Sequence, residues 1–315
     1  MKLAAFITLL LVSSIFSQQK HSPFATASSF AGEQFTSAGD LLWKKLDGRI
    51  GELVERFDGV MGVAIVDLTD RRAILKNEDR VFPTASSIKI AVLLELYHQE
   101  QQGKAKLDDV YTFDPKDLVE DSQIMAGLTP GVTKVTNRDL AQFMVAVSDN
   151  AAANVLIDRV GMQNVNATLR TLGLTKTILR RKMMDVAAAK RGDENVSTPQ
   201  EMTRLLEAIY KGKALNKELT GQFIKQLSTL KESYIPRELP AGIQVANKPG
   251  SLDGIRTDSG IIFAKNRPFV ISVMTSYDRD ECAAERAISA IALEAYQCFE
   301  MRGKTTEYGR VLEAK

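Results

Sequence analysis

The chain has 315 residues, 44% of them hydrophobic, and a formal net charge of +2, enough for a large core folded as two lobes. That near-balance, with no long Lys/Arg run, argues against nucleic acid or an anionic membrane as a partner. Two histidines, with no H-E-x-x-H and no C-x-x-C, give metal catalysis no ligands and make a metal or other cofactor unexpected.

Residues 1–17 read as a signal peptide: Lys2, an apolar stretch from Leu3 to Phe16, then the small Ser17. The run is short for a spanning helix and is interrupted by Ser13 and Ser14. The mature protein is therefore expected to be secreted or periplasmic, with no stable membrane association after cleavage. Residues 18–36 are polar and read as a flexible tail. Residues 40–58 carry Leu41, Leu42, Leu46, Ile50, Leu53, Val54 and Phe57 at helical spacing. Residues 62–68 and 72–75 read as the strands of a hairpin. A helix is predicted over 86–103, with Thr84, Ser86 or Ser87 as its cap. Helical patterns dominate to about residue 230, among them 137–147, 151–160 and 199–210. Strands return at 244–247, 259–264 and 269–276, the last two joined by the turn Lys265-Asn266-Arg267-Pro268. A helix over 281–301 follows, then a charged tail, 303–315. Cys282 and Cys298 both lie in that helix, ~24 Å apart by helical rise, so they are expected as free thiols.

Strands at both ends around a helical middle predict an α/β (α+β) fold. Its antiparallel sheet is built from both chain ends with flanking helices, and an all-helical lobe is inserted. The α/β lobe takes 37–83 and 231–302; the helical lobe takes 84–230.

Chemistry is suggested by Ser86, three residues before Lys89, so that hydroxyl and amine share one helix face. Such a pair is a nucleophile with its own base. The same S-x-x-K pattern occurs at Ser17–Lys20 and Ser228–Lys231, in the leader and late in a polar helix. Only Ser86 is followed by Ser148-Asp149-Asn150 and then by Lys248-Pro249-Gly250-Ser251. His21 lies in the tail. His98 lies on the helix of Ser86, roughly 18 Å along its axis, too far to be its base and more in keeping with a surface or lobe contact. A Ser-His-Asp triad is thereby excluded, and Ser-Lys chemistry remains. For Lys89 to act as a base its pKa must fall, through burial or a second cation nearby.

The ordered trio resembles the serine β-lactamases and penicillin-binding proteins, marked by S-x-x-K, S-D-N and K-T-G, and class A most closely. Further stretches carry the resemblance: Asp117-Leu118-Val119-Glu120, Leu128-Thr129-Pro130-Gly131 and Ser148-Asp149-Asn150-Ala151-Ala152-Ala153-Asn154. It runs from about residue 37 to 302. It implies a site in a cleft between the lobes. Ser86 would be acylated, Lys89 would be its base, and Ser148 would relay a proton to the departing lactam nitrogen. Asn150 would hold the substrate's side-chain amide. The backbone N–H groups of Ser86 and Ser251 would form the oxyanion hole, beside Gly250. Lys248 would face the substrate carboxylate, with Arg256 either a second cation there or a surface arginine at the strand end. Asp149 reads as structural, fixing its turn through backbone groups.

Three positions depart from the pattern. Pro249 removes a hydroxyl that normally touches the substrate carboxylate, although proline is tolerated on an edge strand. Asp121 stands where an aromatic usually forms the cleft rim. Class A enzymes also carry a loop glutamate, in E-x-x-L-N, that activates the deacylating water. Here the loop reads Leu179-Arg180-Arg181-Lys182-Met183-Met184-Asp185-Val186-Ala187, which puts Lys182 or Met183 at that place. Asp185 is the nearest carboxylate, while Asp193 and Glu194 read as closing the loop by salt bridge. The expectation is a monomeric exported serine hydrolase acting on β-lactams through an acyl-enzyme, with slow deacylation. The alternatives are a D-alanyl-D-alanine peptidase or esterase, or a module that binds β-lactams or wall peptide and stays acylated as a sensor or sink.

Overall fold

The computed structural model describes residues 37–312. The expected signal peptide and tail, 1–36, lie outside the described residues. Among the described residues no helix is long and apolar enough to cross a membrane.

Helix α1 (Ala38–Arg56) opens with a capping box, Ser37 and Asp40 each bonding the other's backbone N–H. Its buried face is Trp43, Leu46 and Ile50, the spacing of a helix against a sheet. Strands β1 (Val60–Asp67), β2 (Ala73–Lys76) and the short β3 (Phe82–Pro83) follow. Helix α2 (Lys89–Gln102) comes next, then β4 (Val110–Thr112), β5 (Lys134–Thr136), α3 (Asn137–Ala146), α4 (Asn150–Val160) and α5 (Met162–Thr171). The short α6 (Val186–Lys190), β6 (Val196–Ser197), α7 (Pro199–Tyr210) and α8 (Lys217–Leu227) complete the helical region. The chain then returns through β7 (Val245–Leu252), β8 (Ile255–Ile262), β9 (Phe269–Ser276) and α9 (Glu281–Lys304).

The main sheet has the order β2-β1-β9-β8-β7 with antiparallel neighbours. It is thus built from both chain ends. Its inner strands β1, β9 and β8 are buried almost throughout because both faces are covered: β9 is buried from Phe269 to Thr275. One face packs with α1 and α9 in a core that includes Trp43, Ile50, Ile271, Ile288 and Phe299. The other meets the helical region in a second core that includes Ala246, Ile261, Val270 and Met274 from the sheet and Leu93, Leu156 and Leu205 from helices. β7 forms one edge of the sheet, where Pro249 costs no ladder bond to an outer neighbour.

One expectation needs correction. No side chain caps α2. Its N-cap is Ile88, and a 3-10 turn over Ala85–Ile88 precedes it. The charged tail folds back on the start of α1. Thr305 bridges Val311, and Glu307 accepts from Gly39 N at 3.0 Å and from Ser37 Oγ at 2.9 Å.

Cys282 is exposed and Cys298 buried, and neither is in a disulfide. Burial pushes the Cys298 thiol up. In a native titration with a thiol reagent, Cys282 should react fast and Cys298 slowly, and both should titrate in denaturant without reductant. A protein that yields no thiol in denaturant would contradict this geometry.

Candidate active site

Ser86 sits in the 3-10 turn where the helical region meets β7 and β8. Ser87, not Ser86, ties the turn to the sheet. Ser87 Oγ donates to Thr84 O at 2.6 Å and lies 3.1 Å from Thr257 Oγ1, which itself donates to Thr84 O at 3.0 Å. Gly250 makes the approach feasible, since a Cβ there would stand 2.7 Å from Ser86 N and 2.8 Å from Thr84 O. The glycine therefore sets how closely the Ser86 backbone lies against β7, beside Ser251.

Two adjoining hollows, about 620 and 680 Å³, share Ser86, Gln123, Val147, Ser148 and Ser251 in their walls. They form one cleft with Ser86 at its middle. Several non-glycine residues in left-handed backbone line it: Ala85 (φ 46°), Asp121 (55°), Ser148 (59°) and Met184 (61°). Each such conformation costs on the order of 1–3 kcal/mol, and such strain collects at functional sites.

The polar centre is built on Ser148. Its Oγ lies 3.0 Å from Lys89 Nζ and 3.0 Å from Lys248 Nζ, bridging the two amines. Lys89 Nζ also meets Ser148 O at 2.6 Å and Asn150 Oδ1 at 2.7 Å. Lys89 is 1% exposed and Lys248 2%, and among the described residues neither has a carboxylate within ion-pair distance. Burial, and then Lys248, hold the Lys89 amine well below the ordinary lysine value, against the pull of Asp149 and Asp121. Burial likewise lowers Lys248 to about 7, against the pull of Asp258. Lys89 thus stands one turn from Ser86 with its amine shifted toward the neutral form, the condition a lysine general base requires.

Asp149 fills a backbone role. Its Oδ2 accepts from Ile124 N and Met125 N, both at 2.9 Å, and its Oδ1 caps α4 through Ala152 N at 3.0 Å. Asn150 is held at both ends of its amide, by Lys89 and by Glu120 O at 3.2 Å. It lines the cleft with one amide hydrogen left to offer.

Arg256 lines the cleft, with its guanidinium already partnered. It pairs with Glu281 and with Glu285 (3.1 Å), and its Nη1 donates to Leu252 O and Ile255 O. The two carboxylates take its charge. His98 lies within the helical region, 3.2 Å from Thr168 Oγ1 and 2.9 Å from Gln102 Nε2.

The loop opposite is fixed from within. The Ile178–Val196 bridge closes it. Asn195 Oδ1 accepts from Arg180 N and Arg181 N, and Arg181 pairs with Glu194 at 2.9 Å. Asn154 then clamps residue 183 on both sides, accepting from Met183 N at 2.8 Å and donating to Met183 O at 3.1 Å. Of the two residues the sequence offered, this clamp holds Met183. Met183 lines the cleft, while Lys182 turns out to Asp158 at 2.6 Å. Asp185 caps α6 through Ala188 N and is not in the cleft wall. Asp193 pairs with Arg191 at 3.4 Å.

Sequence reasoning missed Lys231. It was set aside with the S-x-x-K match at Ser228, yet it lines the cleft beside Lys248. Nothing in its local pattern marks it, because its surroundings come from β7 and β8.

Comparison with known proteins agrees with this geometry. Residues 45–299 match the model of the family described as "Beta-lactamase enzyme family". A β-lactamase of Amycolatopsis lactamdurans is 30% identical over 247 residues, covering 76% of this chain and 80% of that protein. The β-lactamase SME-1 of Serratia marcescens is 27% identical over 264 residues, covering 78% and 87%. An ancestral class A β-lactamase structure superposes with a TM-score of 0.75 at 27% identity, over 81% of this chain and 100% of that one.

Proposed function

The chain belongs to the β-lactamase enzyme family, as a serine hydrolase of the class A type, and from that premise we propose that it opens β-lactams by acylating Ser86 and releases the product slowly. The observation that carries this reading is Ser148 Oγ bridging Lys89 and Lys248 at 3.0 Å each, beside Ser86. Neutral Lys89 takes the Ser86 proton as Oγ attacks the lactam carbonyl. The backbone N–H groups of Ser86 and Ser251 receive the developing oxyanion. Ser148 passes a proton to the lactam nitrogen as the C–N bond breaks, and the amine on either side of it can replace that proton. Protonated Lys248 attracts the substrate carboxylate, and Asn150 offers its amide to the acyl side chain. No cofactor enters this chemistry.

Export rests on the leader-like residues 1–17 and would place the enzyme, read here as a monomer, in the periplasm or exterior. The division into an α/β lobe (37–83, 231–302) and a helical lobe (84–230) puts Ser86 at the first boundary. A second reading, a β-lactam sink that stays acylated, is favoured by Met183 in the cleft wall. Fluorescent penicillin should label the wild type and leave Ser86→Ala unlabelled. Labelling that persists in Ser86→Ala would sink the assignment. Turnover after labelling separates the enzyme from the sink.

A further inference from the structure

Resting on the reading above, we propose that Lys231 is the second cation of the substrate-carboxylate subsite, the place expected for Arg256. The cleft half that holds Lys248 is also lined by Lys231, Tyr234, Arg237, Glu232 and Glu285. Arg237 is already paired with Glu285 at 3.0 Å, and Arg256 shares that carboxylate. Lys231 is different. Its only hydrogen bond among the described residues is to Leu227 O at 2.8 Å, and it has no ion pair there.

The acid whose charge acts on it is Asp258. That carboxylate is already occupied, accepting from Tyr234 N (3.0 Å), Ile235 N (2.9 Å) and Asn247 Nδ2 (2.9 Å). One cleft half therefore carries two amines with no ion pair among the described residues, Lys231 and Lys248, while Glu285 in its wall is taken by Arg237 and Arg256 and Glu232 is exposed to solvent. An incoming carboxylate supplies the missing counter-charge, and with it a charge-assisted hydrogen bond. Pro249 has removed the hydroxyl that would otherwise share this task, so the amine replaces a neutral contact with a charged one.

Burial lowers Lys231 to about 8, against the pull of Asp258. Its charged form is thus lost as pH rises through about 8. The groups facing it are Asp258 on β8, Lys248 on β7, and Glu232, Tyr234 and Arg237 on its own segment, with Glu285 on α9. Arg237 and Glu285 offset each other.

The test uses the Ser86→Ala protein, in which penicillin binds without acylating. Affinities for benzylpenicillin and its neutral methyl ester are measured by calorimetry. Lys231→Met should weaken the carboxylate ligand about tenfold, the size of a hydrogen bond to a charged group, and leave the ester within about twofold. Lys231→Arg should restore the preference and remove the part of its decline centred near pH 8, leaving the fall through about 7 that belongs to Lys248. Equal losses on both ligands, or no loss on penicillin, would overturn the proposal. Either outcome is independent of whether wild-type Ser86 is labelled, which alone tests the acylation reading.

Discussion

Lys89→Met should lower the rate of Ser86 acylation by about 10²–10⁴, the usual loss when a positioned general base is removed. Methionine keeps the buried stem and removes the amine. The fold has reason to tolerate the change, because the lost amine was itself costly to bury. Against that, Ser148 O and Asn150 Oδ1 each lose a donor, at about 1–3 kcal/mol per unsatisfied group. A melting curve shows whether the variant is folded, and stopped-flow labelling then reads the chemistry. The pH profile adds a second check. Lys89 works only when neutral, so acylation should rise with pH through a value well below that of an ordinary lysine, following the direction of its shift. Lys248 attracts a carboxylate only when charged, and its value is about 7. Acylation by penicillins should therefore fall again above that pH, giving a bell. A neutral ester should show the rising limb alone. If both substrates lose activity equally at high pH, Lys248 is not reading the carboxylate.

The elements best legible in the sequence were those with local punctuation. β9 ends at the bounds predicted because the turn at Lys265–Pro268 and Tyr277 (φ 60°) delimit it. α7 likewise runs from Pro199 to Tyr210, with Thr198 as its cap and proline in its first turn. The nucleophile's surroundings were harder. Ser86 and Lys89 could be found by spacing, but the 3-10 turn that presents Ser86 is fixed by Gly250 and Thr257, more than 160 residues away in the chain. Arg256 and Lys231 show the same limit from opposite sides. One is a cation in the right stretch whose charge is taken by α9; the other looked like a solvated helix end and faces the cleft. Charge at a site depends on which partners arrive through tertiary packing, and spacing carries no record of that. The loop register was undecidable between Lys182 and Met183 for a similar reason, since Asn154 on α4 makes the choice.

That choice bears on the slow deacylation proposed above. Deacylation needs a base beside a water on the far side of the acyl carbonyl, and residue 183 offers a thioether with no proton to exchange. Lys182 is drawn away by Asp158, Asp185 is spent on the N-terminus of α6, and Glu194 is held by Arg181. Penicillins should therefore give a burst equal to the enzyme concentration, slow turnover, and a covalent adduct visible by intact mass after minutes. Met183→Glu should raise turnover by up to about 10²-fold. Asn154 clamps the backbone at 183 on both sides and would present the new carboxylate to the cleft. Met183 is only 7% exposed, so burial should lift the glutamate's pKa toward neutrality, where a base works best. The cost is stability, on the order of 1–3 kcal/mol for a buried polar group, read as a lower Tm. Asn154→Ala in the Met183→Glu protein should erase the gain by releasing the clamp. Rapid steady-state hydrolysis by the wild type with no detectable adduct would mean that a second base exists, and neutral Lys89 serving both steps would then be the first to test.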